Sequence, residues 1–259
     1  AAVRIKDAAQ FQGVRDNQLI GYGLVVGLNG TGDKSQSLFT VRSMANLLTR
    51  MGIDIKASEV KPKNVAAVIV TATLPPFIKS GARIDVTLSS LGDASSLQGG
   101  TLLLTPLQGA DGNVYAVAQG PLSVGGFEVG GGGQSGSFGT VARSPQGALI
   151  EHEVPVTLVA ENIVKLSLKT VDFTTCVRMA EAINVEFGTR IAEAVDGATV
   201  QITVPDTYRE NIVSFLARIE HVEMQPDARA KIIMNERTGT IVGGKDVKIS
   251  RISLTHKNI

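Results

Sequence analysis

The chain contains no tryptophan, and aromatic residues make up only 4% of its 259 positions. Its 43% hydrophobic share must therefore build an aliphatic core. There is one cysteine, Cys176, which excludes an intrachain disulfide and any cysteine-cluster metal site within these residues. Its neighbours fall at helical spacing, so it reads as a buried thiol acting as a small hydrophobe. No apolar run reaches the roughly 18 residues that a membrane-spanning helix needs. Neither charge is in excess: 25 Lys plus Arg stand against 24 Asp plus Glu, a net charge of +1. No global field steers such a chain to nucleic acid or to an anionic membrane, and any electrostatic contact must be local. Aromatics do not interleave the basic residues, which argues against base stacking. The chain opens with Ala1-Ala2-Val3 rather than Met, which suits a mature protein after signal-peptide removal and equally a trimmed chain.

What is present is glycine, 28 residues of it, together with enough length for one large domain or two ordinary ones, of which two is the preferred reading. The most informative stretch is Gly81 to Gly120. Ile84, Val86 and Leu88 alternate with Asp85, Thr87 and Ser89, which predicts a strand with one apolar face. Thr101 to Leu104 and Val114 to Ala118 are further strand-like runs, separated by Pro106 and by the turn dipeptide Asp111-Gly112. Before this stretch, Val3 to Lys6 and Leu24 to Val26 read as short strands. Leu38, Val41, Ala45, Leu48 and Met51 predict a helix over 38–51, closed by Gly52. Val65 to Thr73 is a near-continuous apolar run, the pattern of a strand covered on both faces.

After it, Gly125 to Gly139 reads as a surface loop, costly to order. Thr140 to Arg143 and Leu149 to Val154 flank Ser144 to Gly147 as a hairpin. Pro155 is the expected domain boundary. Beyond it come a strand at Val164 to Leu168, a helix at Phe173 to Phe187, a strand at Thr199 to Val204 and a helix from Tyr208 to about Val222 with Ile212, Phe215, Leu216 and Ile219 on one face. Lys231 to Met234 and Thr240 to Val242 form a closing hairpin. The expected class is α+β: a β-rich N-terminal domain, 1–154, carrying one main helix, then a smaller two-helix, sandwich-like α/β domain, 155–259.

Chemistry-bearing patterns are weak. Gly21, Gly23 and Gly27 form G-x-G-x-x-x-G beside a strand, but the dinucleotide spacing would put the third glycine at Val26. Gly27 and Gly32 have P-loop separation, yet Asp33 stands where the phosphate-binding lysine belongs and Lys34 is one residue late. A nucleotide-binding enzyme built on Gly21 to Asp33 is thus an alternative reading, against a structural glycine turn. His152, His221 and His256 fit no metal spacing, and Glu151 and Glu153 point away from His152 on a strand. Gly133-Gln134-Ser135-Gly136 approaches a nucleophile elbow, but Ser137 occupies the final glycine position. Asp85, Asp93 and Asp111 are carboxylates explained by turns and a wet strand face. The residues therefore imply no catalytic group, metal or cofactor. Basic residues gather at Lys61 and Lys63 before the apolar strand and at Lys79 and Arg83 after it, with Lys245, Lys248, Arg251 and Lys257 near the end. The first four would make a local positive rim for an acidic partner if both loops open at one end of a sheet.

Taken together, several segments resemble the flagellar basal-body P-ring protein family of Gram-negative bacteria. They are Arg4-Ile-Lys-Asp7, the run from Gly21-Tyr-Gly-Leu to Gly32-Asp33, Lys63-Asn-Val-Ala-Ala-Val68, Pro75-Pro-Phe77 and Asp85-Val86. Gly92-Asp93, Ser96-Leu97, Gly99-Gly-Thr-Leu102, Thr105-Pro-Leu107, Asp111-Gly112, Tyr115-Ala-Val-Ala-Gln-Gly120 and Asn235-Glu-Arg-Thr-Gly239 continue the match, essentially end to end. The resemblance implies an exported periplasmic protein without enzyme activity. Many copies would form a ring, a bushing around the distal rod in the peptidoglycan layer, beside the outer-membrane L-ring protein, and a dedicated periplasmic chaperone would fit such a subunit. Chains of that family generally run on past Ile259, so a C-terminal segment is expected to be absent here, and family members with a structural disulfide use cysteines that Cys176 does not match. Lys61, Lys63, Lys79 and Arg83 are the candidate rod-facing residues. A monomeric peptidoglycan-binding module is the remaining alternative.

Overall fold

A computed structural model describes residues 2–125, 139–227, 232–243 and 247. In chain order the elements are β1 (Val3–Arg4), α1 (Ile5–Ala8), β2 (Ala9–Phe11), β3 (Asn17–Val26), α2 (Leu38–Arg50), β4 (Val65–Leu74), β5 (Arg83–Ser90), β6 (Thr101–Gln108), β7 (Val114–Pro121) and β8 (Val141–Ile150). They continue as β9 (Ile163–Leu168), α3 (Phe173–Phe187), β10 (Ala192–Ala194), β11 (Thr199–Thr203), α4 (Ile212–His221), β12 (Glu223–Met224), β13 (Ile232–Asn235) and β14 (Thr240–Gly243). The class is α+β, as the pattern of apolar runs predicts. The chain divides into two units, Val14–Val156 and Ala1–Gly13 with Thr157–Ile259.

Val14–Val156 closes into a six-stranded antiparallel barrel in the order β3-β4-β5-β8-β7-β6. Alternation decides which side chains fill it: Leu19, Val25, Val68, Val70, Val86, Leu88, Leu102, Leu107, Ala116 and Ile150 are among the buried core. On β5 the expected split is present, with Ile84, Val86 and Leu88 inside. β4 is buried on both faces only over Val65–Val68. There Leu24, Val65 and Ala67 pack outward against Met44 and Leu47 of α2, and from Ile69 onward the strand alternates because α2 covers only that end.

Two local signals mislead. Ser144 to Gly147 is no hairpin turn: β8 runs through it, and a bulge sets the residues between Ser144 and Ala148 against Asp85 alone. Gln146 takes φ 51° there, and its N–H donates to Asp85 Oδ1 at 2.8 Å. Both flanks pair with β5, so the turn residues bend one strand instead of joining two. Pro106 lies inside β6, opposite Val117 of β7. On its other side the β3–β6 register shifts between Ile20 and Val25, which spares the N–H that proline lacks.

The other unit holds a four-stranded antiparallel sheet, β10-β11-β9-β2. Residues 1–13 were expected in the N-terminal domain, but Phe11 stands opposite Leu166 and Val3 opposite Met224, so the chain begins in this unit, leaves for the barrel and returns. Of the strand expected over Val3 to Lys6, only Val3–Arg4 is extended; Ile5–Ala8 is a helical turn. α3 matches its expected span and is capped by Asp172, which accepts from the Thr175 N–H at 2.7 Å. α4 starts at Ile212, because Asp206–Tyr208 forms a separate 3-10 turn. Phe215, Leu216 and Ile219 are buried, and the Arg218 guanidinium lies 4.7 Å above the Phe187 ring while donating to Glu186 and the Tyr208 hydroxyl. Cys176 is fully buried, and that burial pushes its thiol pKa up. Most of the Gly125 to Gly139 loop, with Ser135, lies outside the described residues, as do His256 and Lys245, Lys248, Arg251 and Lys257.

Candidate functional site

At the barrel end where β3 stops and β4 starts, two Gly-Asp dipeptides sixty residues apart in sequence hold each other's loops. Asp33, 1% exposed, accepts through Oδ2 from Thr40 Oγ1 at 2.5 Å and the Ala67 N–H at 2.9 Å, and through Oδ1 from the Ala94 N–H at 2.9 Å. Asp93 answers by accepting from the Lys34 N–H at 2.9 Å and from Ser37 Oγ at 2.6 Å. One carboxyl thereby ties the 27–33 loop to the start of α2, to β4 and to the 92–94 turn, and the other ties that turn back to the loop entering α2. A Cβ on Gly92 would overlap the Asp33 carboxyl group, so glycine is required where the two loops meet. Thr31 adds a bond from its hydroxyl to the Ser96 carbonyl at 2.8 Å.

The glycines that mimic a dinucleotide motif have a different task. Gly21 and Gly23 occupy successive inward positions of β3, between Leu19 and Val25. A Cβ on Gly21 would strike the Pro106 carbonyl oxygen and Leu107; one on Gly23 would strike Thr105 and Leu102. They let β3 approach β6 along the seam that closes the barrel. With Asp33 already committed to three donors, the Gly21–Asp33 loop forms no phosphate cradle, and the nucleotide reading is not supported.

Asp93 is exposed, and the Lys34 N–H first and the Ser37 hydroxyl second hold its carboxyl below the usual carboxylate range. Asp111 is lowered by the Tyr115 hydroxyl and then Asn113, and Asp196 chiefly by the Ala198 N–H. A depressed folded-state pKa contributes stability that is full above the unfolded value and is lost as pH falls through the folded one. Stability should thus hold from neutrality down to about pH 4 as far as these groups are concerned and decline below it. Asp93→Asn should flatten part of that decline in thermal unfolding measured from pH 7 to pH 2.5; an unaltered profile would show that Asp93 does not contribute.

The four basic residues do not share one rim. Lys61 and Lys63 are exposed beside the stapled loops, where the Lys63 carbonyl accepts from the Gly32 N–H at 3.0 Å. Lys79 and Arg83 sit at the other end of β4, roughly 30 Å away at about 3.3 Å per residue. There Lys79 Nζ pairs with Glu153 at 2.7 Å and Arg83 donates to the Gln146 carbonyl at 3.3 Å. The loop before a strand and the loop after it open at opposite ends, so antiparallel pairing separates the two pairs. Sequence reasoning missed the Asp33–Asp93 staple; its signal was the repeated Gly-Asp dipeptide.

Residues 4–259 match the protein family described as flagellar P-ring protein. Over its whole length the chain is 53% identical to the flagellar P-ring protein of Geobacter sulfurreducens, of which it covers 71%. The chain belongs to the flagellar P-ring protein family. The P-ring proteins of Nitratidesulfovibrio vulgaris and Rhodopseudomonas palustris (strain HaA2) are 52% and 50% identical over the full chain, with 71% and 70% of their own lengths covered. The protein is thus a structural subunit of the P ring of the flagellar basal body. The tied loops and closed barrel described above are features of a stiff building block.

Proposed function

We propose that this P-ring subunit is exported, loses its signal peptide, and assembles in many copies in the periplasm as a bushing around the distal rod in the peptidoglycan layer, next to the L-ring protein, with a dedicated periplasmic chaperone assisting assembly. Lys61 and Lys63 face the rod and present positive charge to an acidic surface; Lys79 and Arg83 form a separate, weaker basic pair. One observation carries the assignment within the four. Lys61 and Lys63 are exposed, make no ion pair among the described residues, and stand beside loops that the staple holds still, whereas Lys79 is neutralised by Glu153.

A bearing must attract its shaft without discrete stopping points, since each 1.4 kcal/mol of ruggedness slows passage about tenfold. Flexible lysine heads above a rigid base supply diffuse attraction of that kind. The double reversal Lys61→Glu, Lys63→Glu should lower ring assembly on the rod or swimming speed several-fold, while leaving the thermal unfolding of the subunit unchanged. Reversal of Lys79 and Arg83 should have the smaller effect. Normal ring yield and motility after reversal of all four would remove the rod-facing assignment.

A further inference from the structure

β13 and β14 form a two-stranded sheet that pairs with no other strand among the described residues. Their register sets Met234 opposite Ile241 and Ile233 opposite Val242, so Ile232, Met234 and Ile241 share one face while Ile233 and Val242 share the other. All five are 58–66% exposed. A lone hairpin is marginally stable in water, and apolar side chains on both faces are the pattern of strands covered on both sides. Among the described residues, each strand also presents an outer edge whose N–H and C=O groups pair with no other strand.

Assembly of many copies of this chain into the P ring, as proposed above, supplies the occupant. A closed ring of identical subunits repeats one head-to-tail contact, in which each copy offers two different surfaces. The hairpin has two such surfaces, the outer edge of β13 and the outer edge of β14. We infer that in the assembled ring the β14 edge of one copy pairs with the β13 edge of a second copy, so that the hairpins join into one continuous annular sheet. Closure satisfies both edges of every copy, and the annulus gives the apolar faces a surface on which to pack. The contact rests on membership of the ring and is independent of the role given to Lys61 and Lys63.

The test uses the full chain assembled into rings. Neighbouring strands lie about 4.8 Å apart, so a repeat of two strands puts the same residue of adjacent copies about 10 Å apart. With buried Cys176 replaced by alanine, Ile233→Cys or Val242→Cys should each give a ladder of covalent multimers with a short bismaleimide. Monomer alone from intact rings would overturn the inference, including the case in which the hairpin is covered by another part of its own chain. The double variant Ile233→Asp, Val242→Asp should cut ring yield at least tenfold while the unfolding transition of the unassembled subunit stays in place. Undiminished ring yield would equally overturn it. Loss of rod binding in the lysine variants with the ladder intact would separate failure of the rod-facing assignment from failure of this contact.

Discussion

Valine in place of Gly21 should lower the thermal unfolding midpoint of the chain by roughly 10 °C, the shift that about 3 kcal/mol of overpacking produces in a protein of this size. The added Cβ points into the seam between β3 and β6 and meets the Pro106 carbonyl oxygen, which belongs to backbone and cannot rotate away. β3 is held on its other side by ten consecutive residue pairs with β4, from Asn17 opposite Leu74 to Val26 opposite Val65. Relief must therefore come from opening the β3–β6 contact, the pairing already broken by a register shift between Ile20 and Val25. Gly21→Ala should behave alike at smaller amplitude. Gly23→Val should be milder, because its obstacles are the side chains of Thr105 and Leu102, which can adjust. The same ranking should appear in ring yield. A Gly21→Val midpoint within two or three degrees of the parent would mean that the seam yields easily and that the glycine serves some other end.

Asp33→Ala should cost about 3–5 kcal/mol, since each buried donor left without an acceptor costs about 1–3 kcal/mol. The Ala67 and Ala94 amides and the Thr40 hydroxyl all lose their acceptor, and Thr40 is itself fully buried. Asp33→Asn should fall between: its carbonyl can still serve Thr40 and Ala67, but its NH2 group would face the Ala94 N–H. Hydrogen exchange reads this directly, with the amides of Ala67 and Ala94 losing protection in the alanine variant before the rest of the barrel. Gly92→Ala pushes a methyl group into the same carboxyl, so Gly92→Ala and Asp33→Ala together should destabilise by less than the sum of the two. Strict additivity, or unchanged protection at Ala67, would show that the loops are held by something other than the staple.

The two predictions mark the border between local and distant information. Local periodicity made α2, α3 and the inward face of β5 legible, since a helix or strand placed on a core must repeat its apolar residues at the period of its own backbone. Turn chemistry was legible but not its consequence: Ser144 to Gly147 carries hairpin residues, and only the partner β5 decides that they make a bulge. Pro155 falls within two residues of the point where the barrel unit ends, but the other boundary, after Gly13, was not legible: Phe11 belongs with Leu166, a pairing that no neighbouring residue announces.

The site followed the same division. That Gly21 and Gly23 were structural could be argued from their spacing and from Asp33 in the lysine position of a P-loop; that they face β6 required barrel closure. The four basic residues were chosen by nearness to one strand in sequence, and the separation of Lys61 and Lys63 from Lys79 and Arg83 follows from the length of β4.

By itself, then, the sequence determined an aliphatic core, the α+β class, the helices and most strands, and through its motifs the kinship with P-ring proteins. Strand order, closure of the barrel, the return of residues 1–13 to the far end of the chain, and the mutual grip of Asp33 and Asp93 were decided by tertiary structure. The physical reason is range: periodicity and turn propensity act over a few residues, whereas a ladder partner or a buried carboxyl's donors are chosen among groups anywhere along the chain, as Phe11 with Leu166 and Val3 with Met224 show.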